Sequence, residues 1–545
     1  MTVVTALHET VMTIAEPHRA RAYRTQNWSL TKPSARGRNG IVVSQNHEAA
    51  AAGAAILAAG GNAADAAVAT AFALAAVEPW NSGLGGIGFG VVLKAGESRA
   101  QVVDFGPVAS RRADPADYPL TGEMKLDFFA WPGVVGDRNI HGPLSFCIPS
   151  SVAGYATLKD RFGTSMPVSE LLQPAIGLAK RGLAQDWYTT LKIASSASIL
   201  RLYEESARIY LPDGLPPVPP YQGVPGFMRL GNLGATLEHL ARAGLDDFYR
   251  GELAARLAAD IARAGGVVDA QDLADCRASV REAPVIDWRG THRIHTAGGL
   301  TAAPTLQAVV EGMAGSPPPA GGPDSAWFVK LSQVMREAYA SRLSGLGAAQ
   351  MAKEPAETCT THLTVVDGEG TIVALTTTLL SSMGSRLVLP ETGVLMNNGM
   401  MWFDPRPGSA NAIAPGARPL CNMCPVVVTP ADGGVPRYGA GASGGRRILA
   451  SVYQMLAFTL DCGMSLEDAA HQPRIDVSGP DGTSADARLP EGTLAALAAA
   501  GPLSVVEHGV LPLNFACPNM VRAGQGEQDG ISDAASPWSA AVAAS

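Results

Sequence analysis

The chain of 545 residues is longer than a single hydrophobic core usually supports, and its length alone predicts about three or four domains. Hydrophobic residues make up 47% of the chain and charged residues 17%, a balance typical of a well-buried globular protein rather than a disordered one. The net charge is −8 and the sequence has no long basic run, so no nucleic acid is expected as a partner, because phosphate binding requires clustered Lys and Arg.

Residues 1–39 are polar and irregular, and we expect them to form an extended amino-terminal arm. The charged residues between Glu9 and Arg24 interrupt any apolar core of a secretory signal, so we expect a cytoplasmic protein. The most apolar stretch, Ala64 to Val77, contains Asp65 and is too short to span a bilayer, so no membrane partner is expected. The seven cysteines are an odd number scattered over a long chain and do not indicate a disulfide framework.

The sequence from residue 40 to about residue 150 predicts both strands and helices. A short apolar run predicts a buried strand, and two alanine-rich segments predict helices, the second with Asn62 as its N-cap. Gly60 and Gly61 separate the two helices, at a point where glycine suits a left-handed cap. These elements are a strand from Ile41, helices over 47–59 and 62–77, and a hairpin over 88–93 and 101–105.

The middle of the chain, residues 150–355, is predicted to be mainly helical, because four segments carry apolar residues at helical spacing. Residues 215–225 and 315–323 are rich in Gly and Pro and are predicted to form loops or lids. The four predicted helices span 171–180, 233–243, 252–264 and 327–342.

After residue 355 the pattern changes to that of strands. Residues 362–367 and 371–379 flank Gly368-Glu-Gly370 and predict a hairpin with alternating faces. Helices early, strands late and a hairpin at the junction favour an α+β fold of stacked sheets and helices. Further strands are predicted at 394–396, 425–429 and 437–440, followed by a helix over 445–460.

Gly83-Leu-Gly85-Gly-Ile-Gly88 has the spacing of a dinucleotide-binding loop. Such a loop follows a strand and begins a helix, whose amino end meets the pyrophosphate. Here a helix precedes the motif and a strand follows it, so we interpret the motif as a tight glycine turn. No nucleotide or other cofactor is expected.

Cys421-Asn-Met-Cys424 has the spacing of a metal or redox motif. A structural zinc site needs four ligands, and the sequence offers no second pair nearby, only the isolated Cys462, Cys517, His471 and His508. We therefore expect no metal, and we interpret the two cysteines as small residues that line a buried strand.

Gly441-Ala-Ser443-Gly-Gly445 matches the nucleophile elbow of serine hydrolases, with a predicted strand before it and a helix after it. An acid and a histidine are available downstream, as Asp461 or Asp468 and His471 or His508. An elbow so late in the chain leaves little sequence for the later strands that such a fold requires. Paired glycines at a helix start can instead present N–H groups to a developing oxyanion.

Thr358-Cys-Thr-Thr-His-Leu-Thr-Val-Val-Asp367 resembles the segment that begins the small subunit of γ-glutamyltransferases. Other blocks between about residues 40 and 455 resemble the same family in the same order. We therefore identify the chain as a member of this family of N-terminal-nucleophile hydrolases. The resemblance implies a four-layer αββα sandwich with helical elaborations in the large subunit. The blocks are 57–70, Glu78-Pro, 82–89, 149–154, 393–398, Arg418-Pro-Leu420 with Met423 and Pro425, and Gly444-Gly445.

The resemblance also implies autocatalytic cleavage between Cys359 and Thr360. It would divide the chain into a large subunit, residues 40–359 behind the arm, and a small subunit, residues 360–545. Thr360 would then be the nucleophile, and its own α-amino group, with a pKa of about 7.7–8, would be the base that a threonine hydroxyl needs. By position, Thr378 is the threonine that hydrogen-bonds the nucleophile. Gly444 and Gly445 match the oxyanion-hole glycines, which argues against Ser443 as the nucleophile.

Several residues that hold the γ-glutamyl donor in the family are replaced in this chain. Gly106 stands where the family has the arginine for the α-carboxylate, and glycine cannot form a bidentate clamp. Trp402 stands where the family has the acid for the α-amino group. The other substrate-site positions are Leu380, at an expected asparagine, Asn398, within a matching block, and Cys421 and Asn422, at an expected serine pair. Arg386, Arg446 and Arg447 are candidates for a substitute carboxylate contact, or are surface and helix-end charges.

Retained reaction machinery beside a changed pocket predicts a hydrolase of another small amide, because polar partners that no longer match reject the γ-glutamyl group. The expected substrate is oxamate-like or another acyl-amide, as in members similar to oxamate amidohydrolases and cephalosporin acylases. The acyl group passes from Thr360 to water, with an amine as the alternative acceptor.

Three rival interpretations stay open. They are a genuine γ-glutamyl hydrolase or transpeptidase acting on glutathione-like donors, a serine hydrolase with Ser443, and a catalytically silent binding protein. The expected partners are a small amide substrate and the two subunits of one precursor. A dimer of such αβ units is an open alternative to a single unit.

Overall fold

A computed structural model describes residues 28–125, 131–344, 358–479 and 482–545. Its centre is formed by two antiparallel sheets of seven strands each. In chain order the strands are β1 Ala35–Gly37, β2 Gly40–Ser44, β3 Ile87–Leu93, β4 Gln101–Phe105, β5 Leu120–Met124, β6 Pro132–Val134, β7 Leu183–Ala184, β8 Phe227–Met228, β9 Ser279–Glu282, β10 Val285–Trp288, β11 His292–Thr296, β12 Thr358–Asp367, β13 Ile372–Ser381, β14 Val388–Leu389, β15 Val394–Leu395, β16 Val426–Pro430, β17 Arg437–Ser443, β18 Ile475–Asp476, β19 Thr483–Asp486, β20 Leu503–Val506, β21 Cys517–Ala523, β22 Gln528–Ser532 and β23 Ala540–Ala543.

The helices cover the outer faces of the sheets and fill the middle of the chain. They are α1 His47–Ala58, α2 Ala63–Val77, α3 Ser151–Phe162, α4 Val168–Arg181, α5 Trp187–Leu200, α6 Glu204–Tyr210, α7 Leu233–Ala243, α8 Asp247–Arg250, α9 Glu252–Ala264, α10 Ala270–Asp275, α11 Ala303–Gly312, α12 Ser325–Ser344, α13 Ile448–Leu460, α14 Leu466–His471 and α15 Glu491–Ala500. Among the described residues, none of these helices has both the length and the apolar character to cross a membrane.

The strand orders of the two sheets bring together distant parts of the chain. The first sheet runs β23-β2-β12-β13-β3-β4-β9, and the second runs β1-β22-β21-β17-β16-β11-β10. Strands β12 and β13 form the predicted hairpin at the centre of the first sheet, and β12 and β13 both pack across the interface on β17 of the second. The beginning of β12, which carries Thr360, is therefore held between two sheets.

Alternation along the strands decides which layer each side chain enters. In β2, Ile41 and Val43 lie in the cluster between the sheets, while Val42 lies in the cluster shared with α1 and α2. In β13, Ile372 lies between the sheets and Val373 faces the helices. Because the side-chain period of a strand is two, each sheet buries one face on its partner and the other on helices.

Helix α2 shows why the alanine-rich sequence suits this architecture. Every residue from Ala63 to Val77 is buried, and small side chains allow the helix backbone to lie close to both the sheet and α1. Its start is fixed by a capping box, in which Asn62 accepts from the Asp65 N–H at 3.1 Å and the Asp65 carboxylate accepts from the Asn62 N–H at 3.1 Å. Full burial of Phe72 and Leu74 adds about 1.5–3 kcal/mol each.

The predicted α+β, four-layer αββα sandwich is confirmed. Helices α1 and α2 cover the first sheet, and α11 to α13 cover the second, with an apolar cluster in each of the three interfaces. The predicted helical elaborations lie between residues 151 and 275, where α3 to α10 follow one another.

Several strands depart from the predictions, and those that belong to the two large sheets form two groups. Strands β9 to β11 lie within the region predicted to be mainly helical, and β21 to β23 had no predicted counterpart. Their sequences carry charged residues or alanine, which give a weak strand signal, and strands distant in sequence pair with β9, β11, β21 and β23. Of the predicted arm, residues 1–27 lie outside the described residues, and β1 near its end pairs with β22.

Candidate active site

An irregularity in the central hairpin brings two threonine side chains together. Cys359 is paired with Leu380 and Thr361 with Thr377, so two residues of β13, Thr378 and Leu379, oppose the single residue Thr360. Such a bulge redirects side chains that regular pairing would place apart. Thr360 is 5% exposed and Thr378 is fully buried.

Three oxygen atoms meet at this point. Thr360 Oγ1 donates a hydrogen bond to the Cys359 carbonyl oxygen at 2.7 Å and lies 3.3 Å from Thr378 Oγ1. Thr378 Oγ1 donates to the same carbonyl oxygen at 2.5 Å. Because Thr378 Oγ1 accepts from the Leu380 N–H at 2.8 Å, its own proton is directed to the carbonyl.

This arrangement places a hydroxyl beside the carbonyl of its own preceding peptide bond. Attack by Thr360 Oγ1 on that carbonyl would develop negative charge on the Cys359 oxygen, which already accepts a hydrogen bond from Thr378. A donor aimed at a developing oxyanion lowers the barrier to acyl transfer. The predicted cleavage site, nucleophile and supporting threonine are thus brought together.

Gly444 and Gly445 follow β17 and begin the short turn Gly445–Arg447, which packs against β12. Their φ angles are +135° and +62°, a region that favours glycine. A Cβ on Gly444 would lie 2.8 Å from Ala516 Cα. The two glycines therefore allow a sharp turn from strand to helix beside the strand that carries Thr360.

The Gly83–Gly88 motif lies against the other side of β13. A Cβ on Gly86 would lie 2.8 Å from the Thr378 carbonyl oxygen, and one on Gly88 would lie 2.3 Å from that of Thr376. The glycines allow the backbones to approach closely, which agrees with the interpretation as a glycine turn.

The Ser443 elbow has the predicted strand and helix around it, but the other members of a triad lie elsewhere. Ser443 Oγ accepts a hydrogen bond from the Gln45 amide. His471 contacts the backbone of Lys32 and Glu467, and His508 pairs with Asp533. Asp461 accepts from Trp288 and Asp468 from Ser465, so these residues serve separate local contacts.

Gly441, the first glycine of the elbow pattern, has a different role. A Cβ at this position would lie 2.2 Å from Cε1 of His362, which is fully buried between the sheets. His362 Nδ1 contacts Thr376 Oγ1 at 2.8 Å and Nε2 contacts Thr364 Oγ1 at 3.1 Å. Burial lowers the pKa of His362 to about 3, so the ring is a neutral structural group.

Cys421 and Cys424 are both buried and belong to different apolar clusters, one between the sheets and one on the outer face of the second sheet. Burial raises the pKa of each thiol to about 12. Thiols in such surroundings are inert, as expected of small packing residues, but both cysteines precede β16 rather than line a strand as predicted.

Gly106 lies beside Arg418, which belongs to one of the family blocks but was not predicted to be a site residue. A Cβ on Gly106 would lie 2.6 Å from Nη2 of Arg418, and Arg418 Nη2 donates to Asp104 Oδ1 at 2.5 Å. Arg281 is the second cation near this carboxylate, at 3.8 Å. These groups line a pocket of about 330 Å³ with Phe89. A guanidinium thus occupies the space left by Gly106, but Asp104 compensates its charge.

Leu380 and Asn398 shape the chain just after Thr378. Leu380 has a φ of +92°, an unfavourable conformation for a branched side chain that costs about 1–3 kcal/mol. Asn398 donates to Ser381 Oγ at 2.8 Å and accepts from the Ser381 N–H at 3.2 Å. These contacts hold the strained segment in place. Leu380, Trp402 and Cys421 share the apolar cluster between the sheets.

Of the candidate arginines, only Arg446 lines a cavity together with Trp402 and Asn422. Arg386 donates to Ser381 Oγ and to the Gly384 carbonyl, both at 2.7 Å, and Arg447 donates to the Leu513 carbonyl. Arg386 and Arg447 therefore support loops, while Arg446 belongs to the substrate-site candidates.

Glu78 was missed as a site residue. Its carboxylate accepts from Thr361 Oγ1 at 2.9 Å, one residue from Thr360. Burial raises the pKa of Glu78 to about 7. Hydrogen bonds from Thr361 and Asn81 and the charge of Lys192 lower this pKa, but their effect is smaller than that of burial. The sequence signal that could have identified Glu78 was the Glu78-Pro block of the family. Its hydrogen-bond partner, Thr361, lies 283 positions further along the chain.

The chain matches the gamma-glutamyltranspeptidase family over residues 49–355 and 347–542. It is 32% identical to an acylase ACY 1 proenzyme of Pseudomonas sp. (strain SE83), over 88% of this chain and 89% of the relative. It is 30% identical to the glutathione hydrolase proenzyme of Escherichia coli (strain K12), over 81% of each chain. A solved cephalosporin acylase structure from Bacillus halodurans superposes with a TM-score of 0.81 at 22% identity, covering 96% of this chain and 98% of that one.

Proposed function

Since the chain belongs to the gamma-glutamyltranspeptidase family, we propose that it is a self-processing N-terminal threonine amidohydrolase that forms an acyl-Thr360 intermediate. The family assignment confirms the predicted enzyme class, an amide C–N hydrolase. The proenzyme names of two relatives support the proposal that residues 1–359 and 360–545 become two subunits.

The observation that carries the proposal is the contact of Thr360 Oγ1 with the Cys359 carbonyl oxygen at 2.7 Å, together with the Thr378 donor at 2.5 Å. Processing needs three groups: a nucleophile, a carbonyl and a donor for the oxyanion. All three lie at this bulge. The family resemblance independently implies the same nucleophile, Thr360, the same cleaved bond after Cys359 and the same supporting threonine, Thr378.

In the processing step Thr360 Oγ1 attacks the Cys359 carbonyl carbon and the C–N bond of the peptide breaks. The hydroxyl proton passes to the leaving nitrogen, which becomes the α-amino group of Thr360. Water then hydrolyses the ester between the Cys359 carbonyl and Thr360 Oγ1. The products are a chain that ends in Cys359 and a chain that begins with Thr360.

In the mature enzyme the α-amino group of Thr360 accepts the proton of Oγ1 as the hydroxyl attacks the substrate amide. The amine leaves with a proton, and water hydrolyses the acyl ester. The Gly444 and Gly445 N–H groups stabilise the oxyanion. Since an α-amino group has a pKa of about 7.7–8 and works as a base only when neutral, kcat/KM should fall about tenfold per unit below that pH.

The proposed substrate is a small amide other than a γ-glutamyl compound, with oxamate as the simplest test case. Gly106 supplies no clamp, and the nearby Arg418 is paired with Asp104. Trp402 cannot accept a hydrogen bond from an α-ammonium group. A glutathione hydrolase is the second candidate, and the 30% identity to the relative from Escherichia coli favours it.

Two variants separate the nucleophiles. Thr360→Ala should leave the chain uncut and abolish amide hydrolysis, while Ser443→Ala should be processed and retain activity. Ammonia release from oxamate is compared with turnover of a γ-glutamyl anilide on the processed protein. The proposal fails if Ser443→Ala alone abolishes hydrolysis, and strong turnover of the anilide would favour the glutathione hydrolase.

A further inference from the structure

An apolar surface is exposed on the helical part of the chain, away from the candidate active site residues. Helix α5 and the segment 215–227 carry seven large apolar side chains that are 39–100% exposed. The segment itself contains no charged residue. Clusters of this kind mark interaction sites, because single exposed apolar side chains are common on folded proteins and contiguous groups are not. The seven are Trp187, Leu191, Leu215, Val218, Tyr221, Val224 and Phe227.

Hydrogen bonds hold the segment against α5, so the seven side chains belong to one surface. Thr190 Oγ1 donates to the Pro217 carbonyl oxygen at 2.6 Å. At the other end of the segment, β8 pairs with β7, which lies just before α5 in the chain. Trp187 and Leu191 are one helical turn apart and flank Thr190 on the same face of the helix. The segment therefore lies beside the exposed face of α5.

The proline-rich loop, residues 215–225, presents its apolar side chains with little freedom to lose. Five of its eleven residues are proline, which fixes φ and favours an extended polyproline conformation. Val218 is 74%, Val224 84% and Tyr221 100% exposed, so these side chains bury little surface in their own chain. A rigid loop of this kind loses little conformational entropy when it binds.

A recess lies on the same surface, at the start of α5. It has a volume of about 110 Å³, and Leu183, Thr189 and Trp538 are among the residues that line it. Trp538 packs edge to face on Trp187, with ring centroids 5.6 Å apart, so the recess adjoins the exposed face of the helix. A protruding loop and a recess on one surface provide the self-complementarity that a two-fold dimer requires.

The area of the surface fits a dimer of this chain. A fully exposed side chain of this size contributes about 150–250 Å², so at their exposed fractions the seven contribute roughly 700–1,100 Å². A standard stable interface buries about 800 Å² on each partner. One such surface on each of two copies therefore supplies the area that a stable dimer needs.

The charged groups around the surface carry both signs. Arg181 is paired with Glu48, and Asp186 caps the start of α5. Lys192 Nζ lies 5.4 Å from the centre of the Tyr188 ring. A surface that binds anionic lipid needs clustered Lys and Arg around its apolar residues, so this mixture of charges favours a protein partner over a membrane.

We propose that this surface binds a second copy of the chain. The proline-rich loop of each copy lies on α5 and the recess of the other, in two identical contacts related by a two-fold axis. Proline-rich segments bind aromatic surfaces well, since their extended conformation is already formed. The inference does not depend on the nucleophile, because none of these residues takes part in the proposed reaction.

Sedimentation equilibrium of the purified protein over a dilution series tests the dimer. We expect twice the mass of one chain, which is 56.3 kDa, for the wild type and for uncut Thr360→Ala alike. Cleavage leaves the mass of one αβ unit nearly unchanged, so processing does not affect the result. A wild-type protein with the mass of a single chain at every concentration overturns the inference.

Charged substitutions test which surface forms the contact. Tyr221→Asp should raise the dissociation constant of the dimer at least about 30-fold, the effect of losing an aromatic anchor. Because Tyr221 buries none of its surface in its own chain, this variant folds as the wild type does. Leu191→Asp, on the exposed face of α5, should raise the constant at least about tenfold. Val285→Asp is the matched control and should leave the dimer intact, since Val285 is 42% exposed but lies on β10 at the edge of the second sheet.

Three outcomes with these variants would overturn the inference. A dimer that withstands both Tyr221→Asp and Leu191→Asp, or that Val285→Asp dissociates equally, uses another interface. Dissociation by Tyr221→Asp alone would show that the loop does not lie on α5. Flotation with vesicles of phosphatidylcholine and phosphatidylserine tests the lipid alternative, and the wild type should stay unbound. A monomer that floats with the vesicles, and no longer does so with Tyr221→Asp, would assign the surface to a membrane instead.

Discussion

Thr378 is the residue whose contacts argue most directly for a role in processing. Its hydroxyl donates to the carbonyl that Thr360 would attack, and no other part of that side chain is polar. Thr378→Val keeps the shape and removes the donor. We expect cleavage to slow by roughly 10²–10³-fold, the usual effect of removing one oxyanion donor, measured as fragment appearance on denaturing gels.

Thr377→Val is the matched control on the opposite face of β13. The Thr377 hydroxyl contacts Tyr155 OH at 2.9 Å and Ser151 Oγ at 3.3 Å, away from Cys359. This variant should lose about 1 kcal/mol of stability and still be cleaved at the wild-type rate. Equal rates for both valine variants would mean that Thr378 is not the donor.

Glu78 gives the stability of the protein a specific pH dependence. Burial raises the pKa of Glu78 from 4.5 to about 7 in the folded state, so the folded state binds the proton more tightly than the unfolded chain does. Stability from this group is therefore complete below about pH 4.5 and is lost as the pH rises towards 7, by about 3 kcal/mol. Glu78→Gln should lack that loss.

Urea unfolding of the uncut Thr360→Ala chain at pH 5 and pH 8, with and without Glu78→Gln, measures the effect. Burial also raises the pKa of Asp476, to about 6, and this contribution is common to both proteins, so their difference isolates Glu78. The same change in unfolding free energy in both would show that Glu78 does not titrate in this range.

At the scale of elements, the glycine pattern at the end of β17 depends on the sheet that faces it. A Cβ on Gly441 would overlap the His362 ring, so Gly441→Ala must shift a buried histidine or the sheet. We expect a loss of about 2–4 kcal/mol in urea unfolding, again with the Thr360→Ala chain.

Gly177→Ala provides the comparison, because Gly177 lies in α4 and a Cβ there meets none of the described residues within 4 Å. Alanine in an exposed helix should be neutral or stabilise by up to about 1 kcal/mol. If Gly441→Ala were equally harmless, the contact between the sheets around His362 would not be as tight as the structure indicates.

The sequence predicted the elements whose pattern is local. Helices α2, α7 and α9 and the β12–β13 hairpin follow from apolar spacing and from capping or turn residues, and their bounds agree to within a few residues. Strands β9 to β11 and β21 to β23 were not predicted because their sequences give a weak strand signal, and because β9, β11, β21 and β23 pair with strands that are distant in sequence. Likewise, Gly441 matched part of a nucleophile-elbow pattern. Its contact with His362 was not predictable from local sequence, because His362 lies on the other sheet.

The residues of the candidate site also fall into those that the sequence predicted and those that only the fold revealed. Thr360, Thr378, Gly444 and Gly445 could be named from family motifs, because those motifs fix positions along the chain. The role of Glu78 and the proximity of Arg418 to Gly106 required the fold, since each depends on a contact across several hundred residues. Among three candidate arginines, only the structure distinguished Arg446.

For the whole molecule, the strand orders predict that cleavage does not separate the two pieces. In the first sheet β2 lies between β23 and β12, and β13 lies beside β3, so strands of the two pieces are interleaved. Each piece alone would expose several sheet edges and three apolar interfaces. We expect both fragments in one peak on size-exclusion chromatography, at the volume of uncut Thr360→Ala, and separation only in denaturant. Fragments that separate without denaturant would contradict this interleaving.

The central claim is that the bond before Thr360 breaks and leaves this residue at a new amino terminus. Amino-terminal sequencing and intact mass of the smaller band from purified protein measure this directly. The predicted result is a fragment that begins Thr-Thr-His-Leu and has the mass of residues 360–545, absent from Thr360→Ala. A wild-type protein that remains a single chain of 56.3 kDa, or a fragment with a different first residue, would contradict the account.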